Sequence, residues 1–451
     1  MLVPKALSEL FQEDYARFLY EFVIHNQWLG KDEIPTGQLN HDRYLSRSIS
    51  PHVLTLSNTF NRREPGEVSH QANPQKRPPV EQPPKGDGLE NYWNEGSHPD
   101  HLRLAYFLYF MPANCFRVAA VWAELHRLGY RWKTPEGLRA VEFGAGPATA
   151  SCGVLAGEAT APLGLPLKGD WALIEQDRKM ARLGASYLPA FKDFLCSVTQ
   201  KPDLASLPSE TRVFVRKLKL SQGFLPPNAP QFHLWLMSYA LNEFQESPQE
   251  IAQALFNSWE KHLADDGLVI LVEPALKAQS RRLLEIRKTL LELFSSDNKN
   301  SNYKILLPCL GDQACGALAE PTDWCHEEVA WWRAEYSKKI DALCGLDRKT
   351  LPFSYLVIAK SKLSVCELLP ALAGDGRSEI KAHRLVSPAH SEGPDSEFYI
   401  CGSDGKRRAR LHEKHGKVAR GSLLIGAELR GATAATRIDR VEKLIPDFSQ
   451  E

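Results

Sequence analysis

Three sets of residues in this chain have the type and spacing to do chemistry. The first is Arg139-Ala-Val-Glu-Phe-Gly-Ala-Gly-Pro-Ala-Thr-Ala-Ser151. It reads as a short apolar strand, an acid at the strand's end (Glu142), a tight turn at Gly144 and Gly146, and small residues opening a helix. Glycine is needed where a backbone turns sharply and must let a ligand approach with no Cβ in the way. A strand feeding such a turn and then a helix N-terminus is the usual nucleotide-binding entry to a doubly wound α/β sheet. The second set is Pro308-Cys309-x5-Cys315-x9-Cys325-His326, three thiols within 17 residues flanked by turn residues. Soft thiolates select zinc or iron–sulfur clusters, and a fourth ligand could come from His326, Cys344, Cys366 or Cys401. The spacing matches neither a C-x2-C zinc ribbon nor the C-x2-C-x2-C ferredoxin run. The third set is Lys406-Arg-Arg-Ala-Arg410 with Lys414, Lys417 and Arg420, seven basic residues against Asp404 and Glu413. Such a patch fits either a nucleic-acid phosphate backbone or a solvated charged loop.

Two ligands compete for the glycine turn. GAGPA also occurs in flavin-binding Rossmann domains, where a pyrophosphate packs on the helix N-terminus. That pattern normally opens a domain near the chain start, whereas about 140 residues precede the turn here. Glu142 suits a cationic ligand better, and S-adenosylmethionine carries an α-amino group and a sulfonium but no phosphate. The E-x-G-x-G order resembles the first motif of class I methyltransferases. Trp171-Ala-Leu-Ile-Glu175 reads as the next strand, its terminal acid able to accept hydrogen bonds from ribose hydroxyls. Glu175 lies 29 residues after Gly146, beyond the usual ~20, and the Gly- and Pro-containing stretch 157–170 absorbs the excess. Phe232–Met237 is a further strand, which places Ser238 and Tyr239 at the carboxyl end of the sheet, where the ligand crevice should lie.

The elements that must position these residues follow from composition and period. The chain has 451 residues, 43% hydrophobic and 24% charged, with formal net charge +0. This is globular composition with no global polyanion signal. Glu9, Glu13 and Asp14 argue against a signal or transit peptide. The longest apolar run, Leu104 to Met111, is far short of a membrane span of about 20 residues. Nine cysteines without an export signal fit reduced thiols, so a cytoplasmic protein with no membrane association is expected. Residues 1–130 read as a helical N-terminal region, with 62–100 flexible and the apolar segment His101–Leu128 broken into two helices at Pro112. Residues 131–365 read as an α/β core with strands at Ala140–Phe143, Trp171–Glu175, Arg212–Lys217, Phe232–Met237, Gly267–Pro274 and Ser354–Ala359, and a Cys-rich insertion over 305–345. Residues 378–451 read as a small basic β module.

Taken in order, YFMPA, VEFGAGPAT, LIEQD, SYALNEF, VEP with its arginine-rich helix, LLPC…C…DWCH, FSYLVIAK and Cys401-Gly-Ser-Asp-Gly405 resemble a known family. This is the family of mitochondrial small-ribosomal-subunit methyltransferase-like proteins and their bacterial homologues, and the likeness covers roughly residues 100–430. The resemblance implies a class I methyltransferase fold (Rossmann-like, mostly parallel sheet), with S-adenosylmethionine at Glu142, Gly144, Gly146, Glu175, Ser238 and Tyr239. It also implies association with the small ribosomal subunit and its rRNA, and a four-iron, four-sulfur cluster on Cys309, Cys315, Cys325 and Cys401, zinc being the alternative metal. Lys406, Arg407, Arg408 and Arg410 are then the expected RNA contacts. Ala148 departs from the family's turn, where a third glycine is common. No catalytic residue can be named. The fourth strand is followed by Ser-Tyr-Ala-Leu rather than the Asn/Asp-Pro-Pro-aromatic run that grips an exocyclic amine. A non-catalytic RNA-binding assembly scaffold, or a small-molecule methyltransferase with a structural zinc, are the alternatives.

Overall fold

In a computed structural model, the chain is described over residues 1–26, 38–60, 99–132, 137–165, 169–201, 204, 210–296, 302–361, 368, 381–390, 395–416, 418–431 and 436–445. The expected flexible stretch 62–100 lies almost wholly outside the described residues, as do Cys366 and Lys417. Helices α1 (Lys5–Leu10), α2 (Glu13–His25), α3 (Gln38–Phe60), α4 (Pro99–Ala105) and α5 (Met111–Arg127) precede the first strand. There follow β1 (Leu138–Phe143), α6 (Thr149–Thr160), β2 (Gly169–Glu175), α7 (Arg178–Thr199), β3 (Glu210–Val215), β4 (Phe232–Ser238), α8 (Pro248–His262), β5 (Leu263–Pro274) and α9 (Lys277–Ser296). The sheet is completed by β6 (Tyr303–Leu307), β7 (Glu327–Ala330) and β8 (Thr350–Lys360), with α10 (Gly316–Ala319) and α11 (Glu335–Cys344) between them.

The strand order is β3-β2-β1-β4-β5-β8-β6, with β7 pairing on β8. Strands β1 to β5 are mutually parallel, and β8 runs antiparallel to both β5 and β6. This is the expected class: a Rossmann-like, mostly parallel sheet of the methyltransferase type, with a helical N-terminus and a second β sheet. The central strands are apolar on both faces, as sheets covered by helices on both sides require. Leu234 and Leu236 point into one core with α5 and α6, while Trp235 and Met237 point into the other with α8 and α9.

Pro112 does not break the helix before β1. Asp100–Arg127 runs as one helical stretch, passing through a π-helical turn at Tyr106–Phe110, and Pro112 occupies the first turn of α5. The lost proline N–H would leave the Leu108 carbonyl short of its usual helical donor, and the Tyr336 hydroxyl donates to that carbonyl at 2.8 Å. By length and composition this helix could cross a membrane, but 94% of its most apolar window is buried inside the protein. The N-terminal helices share the sheet's core: Phe18 of α2 stacks on Phe194 of α7 at 4.7 Å.

The second sheet is ordered β13-β14-β11-β10-β9-β12-β15. Its strands are β9 (Ala382–Leu385), β10 (Asp395–Gly402), β11 (Gly405–His412), β12 (Leu423–Ile425), β13 (Glu428–Arg430), β14 (Thr436–Arg440) and β15 (Lys443–Ile445). One face forms its own core from Leu385, Phe398, Ile400, Ala409, Leu411 and Ile438. The other face carries Arg384, Cys401 and Lys406 side by side. Arg384 crosses to the first unit, donating to Glu124 of α5 at 2.7 Å and to the Pro308 carbonyl at 3.0 Å.

Helices α5 and α6 approach so closely that two glycines set the distance. A Cβ at Gly153 would lie 2.6 Å from Val118 Cβ and 2.7 Å from the Cys115 carbonyl oxygen, and one at Gly157 would lie 2.6 Å from Trp122 Cβ. Gly153→Ala should therefore cost about 1–3 kcal/mol through overpacking, despite alanine's better helix propensity. Urea unfolding of the variant checks this, and an unchanged or raised midpoint would show that the helices can separate freely.

Candidate functional site

The strand order reverses between β1 and β4, and the crevice at such a switch point is where doubly wound sheets bind ligands. The loops around it are held by three glutamates, one at or next to the carboxyl end of each of β1, β2 and β5. Glu142 accepts from the amides of Ala150 and Ser151 at 2.8 and 2.9 Å and from the Ser151 hydroxyl at 2.5 Å. Glu175 accepts from the amides of Gly146 and Asp177, both at 2.8 Å. Glu273 accepts from the amides of Leu241 and Asn242 at 2.8 and 3.2 Å. Each carboxylate answers donors that a helix start or a tight turn leaves without a backbone partner.

Glu142 is thus committed to the first turn of α6, with both oxygens occupied. Sequence alone puts this acid beside a cationic ligand; in the fold its nearest positive partner is the helix N-terminus. Burial pushes its carboxyl up to about 7 against the pull of Ser151 and the two amides. Glu175 is pushed up as well, by burial first, against the amides of Asp177 and Gly146. A carboxylate has about four lone-pair sites, so Glu175 keeps acceptor capacity for ribose hydroxyls beyond its two amide bonds.

Gly144 and Gly146 have φ of +63° and +52°, left-handed values that glycine adopts at no steric cost. A Cβ on Gly144 would come within 3.0 Å of Ala240 Cβ, while one on Gly146 would meet nothing closer than 3.9 Å, among Met180, Tyr106 and Thr149. Ala148 is also left-handed, at φ +63°, so the departure from a third glycine stores backbone strain at this turn. Tyr239, just past β4, has φ +59° and is fixed by its amide donating to the Val272 carbonyl at 2.7 Å. The Ser238 hydroxyl is buried and has no hydrogen-bond partner among the described residues.

Two features of this crevice escaped the sequence reading. Glu243, in the turn after β4, accepts no hydrogen bond on its carboxylate among the described residues, and burial and the charges of Glu175 and Glu273 push it up to about 8. It is the acid left open to a cationic group. The signal was the third acid in the series VEF, LIEQD, NEF and VEP, each at a strand end or in the turn after one. The other is the clamp between Arg103 of α4 and Asp177, bonded at 3.0 and 2.6 Å, which sets Tyr106 over the glycine turn.

The cysteine loop packs against the second sheet. Cys325 is pushed up by burial and then by Cys309, Cys315, Glu327 and Cys401, and Cys401 is pushed up to about 12 by burial, Cys309 and Cys315. A side chain on Gly316 would strike Lys406, the cross-strand partner of Cys401, at 2.7 Å. The loop is pinned from α9: Arg281 donates to the carbonyls of Ala317, Glu320 and Asp323, and Arg287 to those of Gln313 and Gly311. Among the described residues, no three or more His, Cys, Asp or Glu side chains are grouped to hold a metal ion. Of the other candidates for fourth ligand, Cys344 donates to the Ser50 carbonyl, and His326 contacts Arg420.

The basic run divides by strand alternation. Lys406 pairs with Asp323, Arg408 with Glu397 at 2.6 Å, and Arg410 with the same carboxylate at 3.6 Å, while Arg407 turns to Asp404 at 2.8 Å. Only Arg408 and Arg410 are substantially exposed, at 48% and 63% of the side chain, so they alone of the four expected RNA contacts present an open guanidinium.

Glu273, pushed up to about 7 by burial against its amide donors, makes stability depend on pH. Its folded pKa exceeds the ordinary carboxylate value, so the folded state holds the proton more tightly and stability falls as pH rises between about 4.5 and 7. Glu273→Gln removes this titration but also a bonded carboxylate. The variant should be the less stable at pH 5, and the gap to wild type should narrow by up to about 1.4 kcal/mol per pH unit toward pH 7. Denaturant unfolding at pH 5, 6 and 7 measures it, and a gap that widens would refute the assignment.

Solved structures similar to the chain include a precorrin-6y C5,15-methyltransferase from Geobacter metallireducens GS-15 (15% identity, 54% of this chain and 87% of that one, TM-score 0.28). Another is the plantazolicin methyltransferase BpumL in complex with SAH (12% identity, 61% and 95%, TM-score 0.33), and a third is a fibrillarin/Nop5p complex (13%, 53% and 79%, TM-score 0.25). No curated protein sequence matches. Residues 204–427, from before β3 through β12, match the model of the mitochondrial small ribosomal subunit family Rsm22.

Proposed function

We propose that this protein binds S-adenosylmethionine in the crevice between β1 and β4 and acts on the small ribosomal subunit during its assembly, methyl transfer being directed to its rRNA. The observation that carries the cofactor reading is the glycine turn with strand-end acids around it. Glu175 retains lone pairs for ribose, Gly146 turns with a left-handed φ of +52°, and Glu243 offers an unspent carboxylate to the cationic amino and sulfonium groups. The ribosomal reading rests on the family match over residues 204–427, with Arg408 and Arg410 as the exposed cations for a phosphate backbone. Transfer to a nucleophile is an in-line displacement at the sulfonium methyl, for which the chain supplies position. Glu175→Ala should weaken S-adenosylmethionine binding by roughly tenfold or more, the order of a charged hydrogen-bond acceptor. Equal affinity in calorimetric titration would remove the ribose role. Labelled methyl transfer into small-subunit rRNA from a deletion strain separates an enzyme from a cofactor-binding scaffold.

The proposal includes a four-iron, four-sulfur cluster held by Cys309, Cys315, Cys325 and Cys401. Such a cluster takes one thiolate per iron rather than several donors around one ion. In support, Arg287 is 1% exposed, its Nε has no partner among the described residues, and its guanidinium meets the Cys309 thiol. A buried guanidinium with no carboxylate needs another anion, which metal-bound thiolates would be. When bound, the cluster would tie the second sheet to the cysteine loop, because Cys401 stands on β10. Anaerobically purified protein should then be brown with about four irons per chain, and Cys401→Ser should lose both. A colourless protein with one zinc would replace the cluster by the structural-metal reading.

A further inference from the structure

Among the described residues four arginines are buried, and Arg117 on α5 and Arg287 on α9 are the two that meet no carboxylate. Arg103 has the Asp177 carboxylate and Arg384 that of Glu124, and Arg287 has two loop carbonyls and a thiol. Arg117 is 6% exposed, and among the described residues its one hydrogen bond is to the side-chain oxygen of Asn114 at 2.6 Å. Its Nε is buried with no partner. Its guanidinium stands 5.6 Å from the centre of the Tyr239 ring, and a second cation, Arg348, bears on it while stacked over Tyr109 and Phe110 at 4.7 and 4.6 Å. Burial and the neighbouring Arg348 hold Arg117 below its ordinary range. An ion buried without a partner costs several kcal/mol.

The location gives this charge a use. Asn114 also bonds the Tyr106 hydroxyl, and Tyr106 lies beside Gly146, with Met180 and Thr149. The π-helical turn at Tyr106–Phe110 is a feature that recurs at functional sites. Tyr239, under the guanidinium, is the left-handed residue that ends β4. Arg117 therefore stands on α5 between Tyr239, at the end of β4, and Asn114, which bonds Tyr106 beside the glycine turn. The crevice is polarised, basic on the helix side and acidic along the strand ends.

We infer that Arg117, with Asn114 and Tyr106 beside it, forms a subsite for a ligand carboxylate, that of the cofactor's amino-acid end. This rests on the S-adenosylmethionine reading and adds to it the residue that recognises the amino acid. Single-residue depth favours the cofactor over a polymer phosphate, because a group 6% exposed is out of reach of an RNA backbone lying on the surface. The polarity matches a ligand whose carboxylate faces the guanidinium while its amino and sulfonium groups face the acids.

Calorimetric titration of the full chain with S-adenosylhomocysteine, its descarboxy analogue and 5′-methylthioadenosine tests this. In wild type, S-adenosylhomocysteine should bind roughly ten- to a hundredfold more tightly than the descarboxy analogue, the range of a charge-assisted hydrogen bond. Arg117→Met should erase that difference and leave methylthioadenosine, which lacks the amino acid, unchanged. Arg117→Lys should restore part of it. Equal affinity for the two ligands in wild type overturns the subsite, and so does discrimination that survives in Arg117→Met, or a loss of methylthioadenosine binding equal to that of S-adenosylhomocysteine. The wild-type comparison decides by itself if the methionine variant does not fold. Failure of wild type to bind either S-adenosylhomocysteine or methylthioadenosine marks instead the failure of the cofactor reading, and the subsite falls with it.

Discussion

The crevice depends on one repeated interaction: a buried glutamate at the end of a strand accepting backbone amides from a neighbouring turn. Glu142 holds the start of α6, Glu175 joins the glycine turn to the start of α7, and Glu273 of β5 holds the turn after β4. A tight turn leaves N–H groups that need acceptors, and a buried carboxylate needs donors. Each solves the other's problem. The loops are fixed without consuming the backbone carbonyls, and the negative charge stays at the carboxyl end of the sheet.

That arrangement has an electrostatic cost. Several acids gathered out of water raise one another's pKa, as Glu243 shows at about 8 with Glu175 and Glu273 beside it. A positive charge placed beside these acids would relieve this repulsion. Backbone strain at Ala148 and Tyr239, both in the left-handed region, concentrates at the same two turns. Strained residues persist where the surroundings over-determine them, and here the surroundings are the amide bonds of the strand-end acids.

The second sheet is joined to the first unit through buried charge as well. Glu124 is fully buried, yet Arg127 and Arg384 outweigh its burial and hold it at about 2. Arg384 also reaches the Pro308 carbonyl, next to Cys309, and Arg127 reaches the carbonyls of Gly421 and Ile445 in the second sheet. Helix α5 thus contributes to both ends of the molecule: Glu124 at the inter-sheet junction, Asn114 and Arg117 at the crevice. Its close contact with α6, set by Gly153 and Gly157, keeps the two ends in register.

The amino-acid sequence determined the local parts by itself. Apolar runs such as Phe232–Met237 and Gly267–Val272 read as strands covered on both faces, and Gly144 with Gly146 as a turn. These follow from side-chain period and backbone sterics, which act over a few residues. Tertiary structure decided what each charged group faces. Glu142 reads as a ligand contact and is a helix anchor, because the nearest donors belong to residues eight and nine positions on. Pro112 reads as a break and is not one, because Tyr336 supplies a donor from 224 residues away. Lys406 and Arg407 read as surface charges and are tied up by Asp323 and Asp404, while Arg117, unremarkable in sequence, is the buried cation left open. Cys401 joins the loop of Cys309, Cys315 and Cys325 only through the pairing of β9, β10 and β11. Charge partners and sheet neighbours are set by packing between distant segments, and no local pattern carries that information.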